Sequence, residues 1–138
     1  MFMAILDLRD RTFEGFFQLG FGESGQKYDF SFDILCMEGT GYPLFFLGIG
    51  EDKIGSSEIS GSIGYDGSFK FIKTYIKNII EALKSKGRVE QGKYFYDGRY
   101  VEDGGDLKLY GTYHDFSVSY ENVDNDGKWE LKLVPKEP

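Results

Sequence analysis

The sequence predicts a mostly β protein, an antiparallel up-and-down barrel of about eight strands with one inserted helix over residues 76–86. Three observations predict it. Apolar and polar residues alternate through most of the chain; glycine fills 19 positions and proline only 3; and one stretch alone keeps a helical spacing. Alternation decides, because the side chains of a strand point to opposite faces with a period of two. Many glycines and aromatics with little proline indicate short strands joined by tight turns.

The elements follow in order. Phe13, Gly15, Phe17 and Leu19 form one face of a first strand, and Tyr28, Phe30, Phe32 and Ile34 form that of a second. Phe45 to Gly50 is apolar almost throughout and makes a third. Ile59, Gly61 and Ile63 mark a fourth, and Phe69, Phe71, Lys73 and Tyr75 a fifth. Tyr94, Tyr96, Gly98 and Tyr100 alternate in a sixth, and Leu107, Leu109, Gly111 and Tyr113 in a seventh. Trp129, Leu131 and Leu133 close the series, with Phe116 to Tyr120 as a further strand candidate. The joints at Gly22–Gly25, Tyr65–Gly67, Asp103–Asp106 and Asp124–Gly127 are rich in residues that tolerate positive φ. Joints this short favour a meander over crossovers. Ile76, Ile79, Ile80 and Leu83 stand at the i, i+3, i+4, i+7 spacing of a helical face, with Lys84, Lys86 and Gly87 as a C-terminal signal. That helix is expected as a lid over one end of the sheet.

Gly15, Gly61, Gly98 and Gly111 lie on the apolar faces of their strands. Glycine packs nothing there, so a flat sandwich gains little from it. A sheet that must coil sharply to close does gain. Eight strands is also the size at which a closed sheet fills with side chains or holds one small ligand. Closure leaves no sheet edge to protect.

The run Gly48-Ile49-Gly50-Glu51-Asp52, then Gly61, Asp66-Gly67-Ser68-Phe69, Tyr96-Asp97-Gly98-Arg99-Tyr100 and Gly111-Thr112-Tyr113 repeat a pattern of turn glycines and aromatics. Over roughly residues 12–134 this resembles the calycin group: the lipocalins, fatty-acid-binding proteins and avidin-like barrels. The resemblance implies a fold, and no binding residue is carried over from it.

Composition limits the rest. The 138 residues suit a single domain spanning 1–138. A net charge of −7 supplies no basic face for a nucleic-acid backbone. The single cysteine, Cys36, excludes an intramolecular disulfide. No apolar run reaches the ~20 residues of a membrane-spanning helix, so no membrane partner is expected. Met1 to Leu8 is apolar but short and has no basic leader, so a cytoplasmic location is expected. Oligomeric state is left open.

The most informative polar residue is Lys73, whose parity places it with Phe69, Phe71 and Tyr75. Inside a closed sheet a lysine needs a partner or loses its charge. It is either a cationic anchor in an aromatic cavity, with Phe71, Tyr75, Tyr96, Tyr100 and Tyr113 as further ligand contacts, or a lysine near the mouth that extends its ammonium into water. Cys36, beside Ile34 and Leu35, reads as a buried inert thiol. Glu51 and Asp52 read as the paired acids of a solvated turn. Asn122 to Gly127 imitates the start of a calcium loop, but the twelfth position is Leu133 and no metal is expected. His114 and Asp115, adjacent on a strand, face opposite ways and do not orient one another. No nucleophile–base set or cofactor motif stands out, which leans away from an enzyme and calls for no cofactor.

Two functions fit. One is a non-catalytic binding protein that holds a small apolar or acidic ligand in an aromatic interior. The other is an acidic interaction module, of the inhibitor or immunity type, whose outer surface meets a basic protein.

Overall fold

A computed structural model describes residues 7–20, 25–76, 93–103, 106–115 and 127–135. Eight strands lie among them: β1 (Thr12–Leu19), β2 (Lys27–Glu38), β3 (Leu44–Asp52), β4 (Ser56–Ile63), β5 (Ser68–Tyr75), β6 (Lys93–Asp103), β7 (Asp106–Asp115) and β8 (Gly127–Leu133). Each pairs antiparallel with the next, and β1 also pairs with β8, from Phe13↔Leu133 to Leu19↔Gly127, so the barrel is closed. In strand number, order and closure the chain agrees with the calycin-type architecture its sequence resembles. No helix lies among the described residues. The expected helix over 76–86 falls outside them except for Ile76, whose N–H donates to Ser56 O (3.1 Å). The strand candidate Phe116 to Tyr120 also falls outside them.

Alternation places the rings inside. Phe13, Phe30, Phe32, Phe46, Phe69, Phe71, Tyr75, Tyr96 and Trp129 are all buried, with Ile34, Leu44, Ile59, Ile63, Leu109 and Leu131 between them. Rings touch across the barrel as well as between neighbouring strands. Phe32 of β2 meets Phe71 of β5 at 5.2 Å between centroids, and Phe30 of β2 meets Tyr96 of β6 at 5.7 Å. Trp129 of β8 lies against Phe71 at 5.3 Å and Tyr96 at 5.6 Å. Contacts spanning the bore mean that its centre is packed with side chains rather than hollow.

The inward glycines make room for that packing. Gly98 and Gly111 are paired in register, and Gly111 is paired in turn with Trp129. A Cβ on Gly98 would stand 2.7 Å from Trp129 Cζ2, and one on Gly111 2.5 Å from Gly98 Cα. The only tryptophan therefore rests on a floor of two glycines, where any larger residue would push the strands apart.

Cys36 is exposed, not buried. The β2–β3 register shifts between Ile34 and Cys36, and this bulge turns both Leu35 and Cys36 to the outside.

Candidate functional site

Strands β1, β3, β5 and β7 finish at one end of the barrel, here called the upper end, and β2, β4 and β6 finish at the opposite, lower end. The interior differs between the two. Phe13, Phe32, Phe46 and Phe69 pack on one another towards the lower end at centroid distances of 5.1–6.5 Å. The upper interior holds Lys73, Tyr75, Ser57 and Asp52.

Lys73 is 1% exposed, so its ammonium does not reach water. Its counter-ion belongs to the chain: Nζ donates to Asp52 Oδ2 at 2.8 Å, and the Tyr75 hydroxyl donates to the same oxygen at 2.7 Å. Asp52 is the last residue of β3 and its side chain is fully buried. Its other oxygen, Oδ1, accepts the N–H groups of Ile54 (2.8 Å) and Gly55 (3.3 Å), which fastens the carboxylate to its own hairpin turn. The rest of the ammonium's surroundings is aromatic. Nζ lies over the rings of Phe17 (4.4 Å), Phe30 (4.5 Å), Tyr75 (4.9 Å), Tyr96 (5.1 Å) and Tyr94 (5.6 Å). Desolvated cation–π contacts contribute about 2 kcal/mol or more where geometry is good.

Burial pushes the Lys73 ammonium down to about 8, with the charge and hydrogen bond of Asp52 opposing that drop. Burial and the nearby Asp52 carboxylate push the Tyr75 hydroxyl well above its ordinary range, so it remains a donor. Tyr96 is raised by its own burial first and then by Tyr113. Ser57, beside Tyr75 in register, is fully buried, and its Oγ has no hydrogen-bond partner among the described residues. A buried hydroxyl left without a partner calls for an explanation, since nearly all such groups are paired.

The expected site residues divide. Lys73, Phe71, Tyr75, Tyr96 and Tyr113 all point inward and are buried. Tyr96 stacks on Phe71 (4.6 Å) and on Tyr113 (5.3 Å), whose hydroxyl donates to Gln18 O (3.0 Å). Tyr100 stands apart at the lower end, half-buried, with its hydroxyl donating to Gly64 O (3.3 Å). Asp52, Ser57, Phe17, Phe30 and Tyr94 are members that sequence reasoning missed. Glu51 does face outward as a turn acid and accepts from Ser56 Oγ (2.6 Å), but Asp52 turns in.

A groove of about 840 Å³ opens on the flank of β1, β2 and β3 near this end. Its lining runs from the exposed Glu14, Asp29 and Glu51 to Tyr28, Phe30 and Asp52. The Asp52 side chain and Phe30 are closed to solvent, so the groove runs over the outside of the wall behind which the Lys73 ammonium lies. Its volume lies within the roughly 300–1,000 Å³ of ordinary ligand sites. Among the described residues, no group of three His, Cys, Asp or Glu side chains is placed to hold a metal. No family model, curated protein or solved structure matches this chain.

Proposed function

We propose that the protein is a non-catalytic binding barrel, in the manner of the calycin type, that takes a small, partly apolar ligand at the upper end of its aromatic interior. The observation that carries this reading is the buried Lys73–Asp52 pair, set among aromatic rings beside the unpartnered Ser57 hydroxyl. A buried ion pair is weak support for stability, because apolar side chains of similar volume commonly do as well or better. A chain that buries Lys73, Asp52 and an unpartnered Ser57 hydroxyl in one layer therefore bears a cost that binding would justify.

The chemistry on offer is specific. An ammonium has three N–H donors, and among the described residues Asp52 accepts one of them. The remaining donors and Ser57 Oγ suit acceptor oxygens, while Tyr28, half-buried and lining the groove, offers a ring face to an apolar body. With the central and lower layers packed by rings, the ligand is taken at the upper end, its polar group towards Lys73 and its apolar part against Tyr28.

Native mass spectrometry of freshly purified protein, then after addition of dodecanoate or an aromatic carboxylate, tests this. The expected result is a stoichiometric adduct that weakens in Tyr28→Ser. A chain that carries no small molecule and takes up neither probe would refute the reading.

A further inference from the structure

The outer face of β3 breaks the pattern of the rest of the barrel. An antiparallel sheet exposed to water ordinarily alternates apolar-in with polar-out. Along β3 the inward residues Leu44 and Phe46 are buried, and the outward residues are apolar as well. Phe45 is 54% exposed, Leu47 53% and Ile49 44%, and the bulge adds Leu35 at 52% beside them. The row Phe45–Leu47–Ile49 runs about 13 Å along the strand, at the rise of an extended chain. Across the sheet Leu47 is paired with Ser60, and Ser60 with the exposed Ile72 of β5. Contiguous exposed apolar surface of this kind marks a contact site.

The border of this patch is acidic. Ile49 is flanked in register by Asp33 on β2 and Glu58 on β4; Phe45 is paired with Glu38, and Glu51 follows two residues beyond Ile49. Lys70, paired with Ser62 of β4, stands two strands away from Phe45. A second copy of the chain docked here would set these four carboxylates against themselves. An anionic lipid surface would be repelled by them. Both charge patterns disfavour the covering, so we infer that the outer face of β3 docks a partner protein whose contact surface has an apolar centre and a Lys- or Arg-rich border. This site is on the outside of the barrel and does not depend on a ligand at Lys73.

Cys36, exposed and paired in register with Leu47, is a natural reporter of coverage. The probe is an amphipathic peptide of leucine and lysine, with a leucine–glutamate peptide of the same pattern as its control. The leucine–lysine peptide is expected to slow alkylation of Cys36 by iodoacetamide and to bind about tenfold more weakly to Leu47→Ser, a loss typical of an anchoring contact. Asp33→Asn with Glu58→Gln is expected to weaken it several-fold and to flatten its salt dependence. Asp106→Asn with Glu102→Gln, acids outside the patch, should leave binding unchanged. An equal loss in that distant pair, binding of both peptides alike, or no protection of Cys36 would overturn the proposal. So would dimerisation seen by sedimentation and abolished by Leu47→Ser, which would make a second copy the occupant. Leu47 is exposed, so its replacement leaves folding intact; these outcomes are read by alkylation and sedimentation and stay separate from uptake of a small molecule.

Discussion

The two ends of the barrel interior are built from the same strands by different physics. At the lower end Phe13, Phe32, Phe46 and Phe69 interlock as rings only, and every contact among them gains from removal from water. At the upper end the same inward positions carry a cation, a carboxylate, a phenol and a serine, and the rings around them solvate a charge instead of one another. The lower end supplies the stability that lets the upper end hold groups whose burial is costly. The difference teaches where to look for function in a closed sheet: at the layer whose composition stability alone does not explain.

That contrast can be broken or sharpened by substitution. Phe32→Ala removes a ring that touches Phe13, Phe30, Phe46, Phe69 and Phe71, and is expected to cost about 3–5 kcal/mol in denaturant unfolding. Asp52→Asn leaves the Lys73 ammonium buried without its counter-ion, at about 3 kcal/mol near neutral pH. Because Asp52 opposes the fall in the Lys73 pKa, the variant's lysine gives up its proton below about 8, and the penalty should shrink as pH rises towards 8. The triple change Asp52→Leu, Lys73→Met and Tyr75→Phe, which also removes the hydroxyl that donates to Asp52, is expected to fall within about 1 kcal/mol of the parent protein, or to stabilise it, while abolishing ligand uptake. A large loss in the triple variant would mean that the upper end is structural after all. Leu47→Ser, on the outer face, should change stability by no more than about 0.5 kcal/mol.

Much of this architecture was legible in the chain, for a definite reason. Alternation fixes which face a residue occupies, so Lys73 could be placed among Phe71 and Tyr75, and inward glycines could be tied to closure. Alternation does not fix height along the barrel or identify a neighbour two strands away. Tyr96 and Tyr100 share a face but stand four residues apart, about 13 Å along an extended strand. One therefore joins the ring cluster near Lys73 and the other lies at the opposite end. Asp52 was hidden for the same reason. In sequence it follows Glu51 in a turn, and its partner on β5 comes into reach only once β4 lies between the two strands. Cys36 escaped because its expected burial rested on its apolar neighbours, whereas the bulge after Ile34 turns it outward. The continuous apolar run at Phe45–Gly50 did signal a strand, but not that its outward residues Phe45, Leu47 and Ile49 stay exposed.

The sign of the pH effect gives the most direct test. Lys73 holds its proton less tightly in the folded barrel than in the unfolded chain, so its own contribution to stability is lowest below about pH 8 and recovers towards 10.5. A side-chain NMR titration that follows the Lys73 Nζ and Cε resonances reads the same environment without unfolding the protein. The account predicts a midpoint near 8, well below the ordinary lysine value of 10.5, with the Tyr75 hydroxyl still protonated there. A midpoint at the ordinary lysine value would contradict it, because the ammonium would then be in water and not caged beside Asp52.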